Sequence, residues 1–455
     1  MMSHRATKRI AGIFTLMAVV FTFQFVYAGG QGFFRNNSVG GISINADGVV
    51  SNVDIESRKL LLKEMRQSIK PAEGKMAAQT ELRMVSLRGL ESAIADAAKN
   101  QQGALPDEVK YLAGLQRIQY VFVYPEQKDI ILAGPGEGWT IDDKANVVGL
   151  TTGQPVLLLD NLLSALRAVN SERPERISCS IDPTKQGVVN YNNTLNRLSR
   201  AGVKNPNILA PQLKRAMGNQ TVAITGVPGD THFARILVAA DIRMKQIAME
   251  LDDSKILPGF ITSARNSVSV KNANLNPRWW LACNYDSVAR DAKGLAWEIR
   301  GQGVKAMTES ELYQQDGQVQ AVGNDPAAEK WAQMMTKRYD ALGKEDPVFT
   351  ELRNVMDMCV AAAVIRKHDL QRTAQLELPH LLGKQQSITT AIWHTPREVS
   401  TQTSFIKTSR GLVITASGGV DIDYLSPTQN PTISPEVRKV WEKAESLYSA
   451  GQWWN

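Results

Sequence analysis

A chain of 455 residues, 43% of them hydrophobic and 21% charged, is long enough for two or three domains and has an ordinary globular composition. Its 52 Lys and Arg against 45 Asp and Glu leave a net charge of +7. That is mild for this length, and no stretch clusters Lys and Arg with interleaved aromatics, so nucleic acid is not an expected partner.

Arg5, Lys8 and Arg9 form a basic n-region, residues 10–26 an apolar run, and Val26-Tyr27-Ala28 a small-x-small cleavage site, the pattern of a signal peptide over 1–28. The rival reading is an uncleaved anchor; Gln24 inside the run and Ala28 at its end favour cleavage. No Cys follows the site, so the lipoprotein pattern is absent. Removal of Arg5, Lys8 and Arg9 takes the net charge from +7 to +4. No later apolar run reaches the length of a membrane span. The expected address is exported, periplasmic or extracellular. Three cysteines, Cys179, Cys283 and Cys359, are too few for a disulfide framework. Free buried thiols are expected; the one pairing that suggests itself is Cys179–Cys283, if both lie on strands of one sheet.

Along the chain, 39–50 reads as a small hairpin turned at Ala46-Asp47-Gly48. Residues 54–69 and 81–99 read as helices, and Pro106 with Asp107 and Glu108 opens a third. Strands follow at 118–124 and 130–133, then a second hairpin at 139–150. Asp160 is the expected cap of a helix carrying Leu162, Leu163, Leu166 and Val169. Strand 176–181, helices 190–200 and 208–217, and strand 221–225 come next. After the Gly/Pro loop 226–230, Phe233, Ile236, Leu237, Ala240, Met244 and Ile247 recur at i, i+3, i+4, i+7, and Val238, Ile242 and Met249 make a second apolar strip nearly opposite. A helix apolar on two sides is covered on two sides, so this is the expected central helix, with polar residues such as His232, Arg235 and Arg243 on one flank. Residues 259–277 read as a loop, and 279–285 with 295–300 as an antiparallel ribbon. Asp325-Pro326 and Asp346-Pro347 each place an N-cap before an N1 Pro; with Gly343 between them they predict an αα-hairpin. The remainder is β-rich, closed by a helix from Ser434-Pro435. The sum is an α+β fold with a central, mainly antiparallel sheet and a long buried helix, plus a helical hairpin and a β-rich C-terminal region. It divides into 29–115 (N-terminal hairpin and helices), 116–320 (central α+β domain), 321–383 (helical hairpin) and 384–455 (β-rich segment with the terminal helix).

Several stretches, QYVFVYPEQKD (119–129), GPGEGW (134–139), TTGQPVLLLDNLL (151–163), ISCSIDPT (177–184), THFARILVAADIRMK (231–245) and RWWLACNY (278–285), resemble a family of exported planctomycete proteins of unknown function, domain-of-unknown-function family fifteen-ninety-eight. GLAWEIRGQGVKAMTE (294–309) and PVFTELRNVMD (347–357) are similar to it as well. The likeness spans most of 38–370 and weakens toward the C-terminus; Ile242 stands where the family pattern has a tyrosine. The resemblance implies bacterial origin and export, and no activity.

The chemistry-bearing candidates are few. GPGEGW has G-x-G-x-G spacing followed by a hairpin, which reads as a turn leading to a buried Trp139 rather than a dinucleotide loop. The loop before the central helix could cradle an anion, yet Asp230, read as the N-cap, already supplies a carboxylate there. His232 and Arg235, one turn apart, remain binding candidates if they face a cleft. Trp279 and Trp280 are candidate aromatic platforms for a glycan or partner, and strand alternation leaves at most one of them available. Trp453-Trp454 reads as a loosely packed end. A Cys179–His232 nucleophile pair lacks an electropositive setting. The histidines have no metal-ligand spacing, and Asp421 and Asp423 lack the other oxygen ligands of a calcium loop. No catalytic residue, metal or cofactor is therefore assigned. The expected function is a non-enzymatic binding or structural component of the cell envelope or periplasm, partnered by an envelope protein or polymer; the alternative is a hydrolase-like enzyme with a site near 226–235.

Overall fold

A computed structural model describes residues 42–44, 50–52, 55–99, 105–172, 176–265, 275–323, 325–384, 390–406, 412–448 and 453–455. The signal peptide expected over 1–28 and the hairpin tip at 46–48 lie outside these residues.

The architecture is α+β, built on two large sheets. The eight-stranded sheet runs Val319–Ala321, Gly303–Tyr313, Leu275–Asn284, Leu412–Ile422, Ile177–Pro183, Asn219–Thr225, Glu398–Ser400, with Gln402–Ile406 pairing beside Leu412–Ile422. All its pairs are antiparallel except Leu275–Asn284 with Leu412–Ile422. The six-stranded sheet runs Thr432–Ile433, Ala289–Arg290, Ala296–Glu298, Tyr120–Tyr124, Asp129–Gly136, Thr80–Ser86. The two small hairpins, Ile42–Ile44 with Val50–Asn52 and Trp139–Ile141 with Val147–Gly149, form where the alternation placed them.

The helix His232–Ala248 is buried all round; Gln246 is its one residue not buried. It packs against the inner face of the eight-stranded sheet and against the helices Leu159–Val169 and Pro347–Lys367, so the expected polar flank does not exist. The largest core gathers Phe233, Ile236, Leu237 and Met244 with Cys179, Ile181, Leu281 and Val420. Burying such side chains stabilises by about 1.5–3 kcal/mol each, which is why this helix organises the fold.

Several expected elements form differently. Thr80–Ser86 is a strand and the helix starts only at Leu87; pairing with Asp129–Gly136 overrides the helix propensity of Glu81, Leu82 and Met84. The helix Leu159–Val169 is preceded by Leu158 at the cap, and Asp160 lies in its first turn. Residues 259–277 are not one loop: Phe260–Arg265 is helical, with Phe260, Ile261 and Ala264 in the core, and Leu275 begins a strand. The expected ribbon separates. Leu275–Asn284 pairs with Gly303–Tyr313, while Ala296–Glu298 joins Tyr120–Tyr124 in the other sheet. In place of one helical hairpin there are three helices, Pro326–Lys337, Tyr339–Glu345 and Pro347–Lys367, with Gly343 inside the second. Asp325 caps as expected, accepting from the N–H groups of Ala327 (2.7 Å) and Ala328 (3.2 Å). Asp346 does not cap; its carboxylate accepts from Arg243 Nε at 2.6 Å.

The chain after 384 completes both sheets. Leu412–Ile422 is threaded between Ile177–Pro183 and Leu275–Asn284, and the helix Pro435–Leu447 lays Val437, Trp441 and Ala444 on the six-stranded sheet. The terminal tryptophans are docked rather than loose: Ser86 N–H donates to Trp453 O at 2.7 Å, and Trp454 bridges Val85. All three cysteines are free. Cys179 and Cys283 do share a sheet, but Val420 of the intervening strand lies opposite both Cys179 and Leu281. Two strand spacings, about 10 Å, separate their backbones, too far for a disulfide.

Candidate functional site

The loop at the head of the central helix is closed. Thr231, not Asp230, is the N-cap: its Oγ1 accepts from Ala234 N–H at 3.1 Å. Asp230 is exposed, and its carbonyl accepts from Trp393 N–H at 2.8 Å. That bond straps a distant segment over the helix start. Trp393 then packs tilted against His232, ring centres 4.4 Å apart, and the Arg235 guanidinium lies 5.3 Å from the centre of the Trp393 ring. His232 is buried and its Nδ1 lies 3.1 Å from Asn161 Oδ1; Arg235 is fully buried. The expected cleft is absent, and exposed Asp230 and buried His232 share no pocket.

Burial, with a smaller contribution from the Arg235 charge, pushes the His232 pKa down to about 3. The native state therefore holds His232 neutral, whereas the unfolded chain protonates it near its ordinary 6.5. This contribution to stability is complete above that value and is lost as pH falls toward the folded pKa. We predict that replacing His232 by glutamine flattens the loss of stability between pH 6.5 and pH 4. Urea unfolding across that range checks it, and an unchanged slope would refute the assignment.

GPGEGW is a structural turn. Fully buried Glu137 accepts from the N–H groups of Thr151 (2.9 Å) and Thr152 (3.0 Å), from Gln116 Nε2 (3.0 Å), and from the Thr152 hydroxyl. Burial alone would raise its pKa, but these hydrogen bonds hold it below the usual carboxylate range. Trp139 is buried behind it.

Cys179 fails as a nucleophile: it is buried, and burial together with nearby Asp241 pushes its thiol pKa far up. Among the described residues no group of three His, Cys, Asp or Glu is placed to hold a metal ion. Asp421 and Asp423 instead meet Arg176, at 2.7 and 3.9 Å.

The outer face of the eight-stranded sheet is accessible along two rows of side chains. Register lines up Met307, Trp280, Gly419, Ser180 and Ala223 in one row across five strands, and Lys305, Ala282, Asp421, Ser178 and Thr225 in the next. Apart from Gly419, every residue of both rows is partly or fully exposed. Trp279 points the other way, into the core against Phe260 and Trp331, as strand alternation requires. Of the five sequence candidates, only Trp280 stands on this surface. The helices Lys185–Arg200 and Pro206–Met217 cover one end of the face, packing Tyr191, Leu213 and Met217 against Tyr313 and Phe405. At that margin Arg278 meets Asp182, Glu311 (3.2 Å) and Glu309 (3.7 Å). Burial raises the Glu311 pKa, against the opposing pull of Ser417 and Arg278. The face thus sets Arg176, Arg278 and Lys305 against Asp182, Glu309, Glu311, Asp421 and Asp423, an excess of carboxylates that disfavours polyanions.

Part of this is written in the strand sequence, where Ser178, Ser180 and Asp182 alternate with Ile177, Cys179 and Ile181. Lys305 and Met307 are less legible, because GVKAMTESELY has no clear strand pattern.

The central helix and the loop that leads into it lie within the stretch that matches a family model. Residues 179–258 match the model of a family described as protein of unknown function, DUF1598. No curated protein and no solved structure matches the chain. The DUF1598 span begins inside one strand of the open face, at Cys179, and carries the central helix with Arg235, Asp241 and Lys245. It ends before Trp280 and excludes Asp421, so the face is assembled from matched and unmatched chain alike.

Proposed function

We propose that this chain is an exported, non-enzymatic binding protein of the bacterial cell envelope, and that the open sheet face around Trp280 holds its ligand. Export rests on the basic and apolar pattern of residues 1–28, and the planctomycete origin on the sequence resemblance. Among the described residues no helix is long and apolar enough to cross a membrane. The observation that carries the binding reading is a five-strand face that the described residues leave partly exposed beside Trp280, while the six-stranded sheet is packed on both sides. Around the indole the floor is low on one side, with Gly419 and Ser180 in its row and Met307 on the other side, and the next row sets Ala282, Asp421 and Ser178. Such a floor admits a flat ligand against the ring. The excess of carboxylates suits a neutral, hydroxyl-rich polymer, which offers C–H faces to the indole and hydroxyls to the polar margin.

The non-enzymatic part is supported by where the displaced proton affinities lie. Burial raises the pKa of Asp129, but its carboxylate is held by Ser86 (2.6 Å) and Tyr448 (3.0 Å); Asp241 is paired to Lys245, and Tyr285 donates to Asp357 at 2.7 Å. These groups are engaged inside the protein, and the two carboxyls of the open face that burial also raises are held as well, Asp421 by Arg176 (2.7 Å) and Glu311 by Ser417 (2.6 Å) and Arg278 (3.2 Å).

Trp280→Ala is expected to weaken retention on insoluble neutral polysaccharide at least about tenfold, the scale of a central aromatic anchor, with an unchanged melting temperature. Co-sedimentation of wild type and variant with chitin, cellulose and isolated envelope material measures this. Equal retention of the two proteins on every matrix would overturn the reading.

A further inference from the structure

Among the described residues most buried charges find partners; Arg235 does not. Arg83 donates to the carbonyls of Met76 and Ala78 at 3.0 Å each, Arg243 to Asp346, Arg117 to Asp357 at 2.9 Å, and Lys245 meets Asp241 at 2.7 Å. Arg235 is fully buried, yet none of Nε, Nη1 and Nη2 has a hydrogen-bond partner. Among the described residues no carboxylate pairs with it. Burial lowers its pKa only to about 10, so it keeps its charge at neutral pH. The ring it stacks on adds to the imbalance: Trp393 is buried and its Nε1–H also lacks an acceptor. Both side chains sit at the start of the 17-residue helix His232–Ala248, the end whose backbone dipole favours negative charge. Neutral His232 and Asn161, bonded to each other, supply no counter-charge. Stacking on an indole offsets only part of the cost of burying a guanidinium, which otherwise requires an ion pair or hydrogen bonds.

We infer that Arg235 and Trp393, beneath the strap that Trp393 N–H ties to the Asp230 carbonyl, form a site for a small oxyanion, a carboxylate or phosphate group. A two-oxygen anion matches the guanidinium fork, and it would also accept from the indole N–H. The enclosure limits the occupant to a small anion or a slender acidic end group, since Arg235 is fully covered and Trp393 is 7% exposed. This site is independent of the open sheet face; it lies on the opposite side of the sheet, with the central helix.

The test is the melting temperature of the full chain in phosphate, in citrate and in sodium chloride at matched ionic strength. An anion present at about ten times its dissociation constant should raise the melting temperature of a protein this size by about 1.5 °C beyond the chloride control. Arg235→Met should lose that increment while melting, without anion, at or above the wild-type temperature, because it removes an unpaired buried charge. Trp393→Phe keeps the stacked ring, removes the donor, and should reduce the increment. A rise confined to phosphate or to citrate names the anionic group, and a rise in both marks a general oxyanion site. No specific rise in the wild type, or an equal rise in Arg235→Met from general salt effects, overturns the inference.

Discussion

Replacing Lys245 by methionine is expected to destabilise the protein by about 3–5 kcal/mol, although methionine fits the same space and favours the helix. The reason is what remains behind. Lys245 Nζ lies 2.7 Å from Asp241 Oδ2, with both side chains at or below 1% exposed, and neither group has another hydrogen-bond partner. The pair lies between the central helix and the sheet, near Cys179 and Gly418. Without Lys245, the Asp241 carboxylate is an isolated charge in an apolar layer. Substituting both residues, Asp241→Leu with Lys245→Met, should recover the loss and could exceed wild type by about 1–4 kcal/mol, because the desolvation of two charges disappears with them. The pH dependence follows from the same geometry. Burial raises the Asp241 pKa and Lys245 opposes the rise, so the single variant shifts it further upward. Between the ordinary carboxylate value of 3.8 and that raised value, the folded state binds more protons than the unfolded state. Because Asp241 is raised in wild type too, stability of the variant relative to wild type must then fall as pH rises through the upper part of this window, between the two folded pKa values. Comparison with wild type cancels the opposite trend from His232. Urea unfolding of the three proteins at several pH values measures both effects; a single variant within about 1 kcal/mol of wild type would show that water reaches the pair.

The central helix was legible because its surroundings are apolar on two sides, and two strips of apolar residues say so directly. The polar residues on the same helix misled for a physical reason. His232, Arg235 and Arg243 look like a solvated flank, since such side chains are mostly exposed. Here Trp393 covers the first two, and Asp346 binds the third. Each partner comes from at least 100 residues away in the chain, a distance that helical periodicity does not encode. The sequence places the N-cap at Asp230, one residue early, although Thr231 is also of a type that caps well; the strap that engages the Asp230 carbonyl goes with the shift to Thr231. Strand alternation did separate Trp279 from Trp280. It could not show that Leu412–Ile422 enters between strands more than 100 residues earlier in the chain, which is what makes the face around Trp280 five strands wide.

That insertion makes Gly418→Ala the second severe substitution. A Cβ at Gly418 would lie within covalent-like distance of the Trp279 carbonyl oxygen, and one at Gly419 equally close to the Cys179 carbonyl oxygen. Trp279 and Cys179 belong to the strands on either side, so the two glycines admit Leu412–Ile422 from both directions. The opposing atoms are backbone, and no rotamer change relieves the clash. The strands must separate, breaking ladder hydrogen bonds in the middle of the sheet. We expect a loss of about 4 kcal/mol or more and a fall in melting temperature of about 4 °C or more for either variant. Gly229→Ala is the control: nothing lies within 4 Å of its added Cβ, so that variant should be neutral or slightly more stable. Thermal melts of the three variants decide the matter, and a Gly418→Ala protein as stable as Gly229→Ala would mean that Leu412–Ile422 does not occupy the centre of the sheet. The binding face would then lose its Gly419 row along with it, because Trp280 and Ser180 are brought into one surface only by the strand between them.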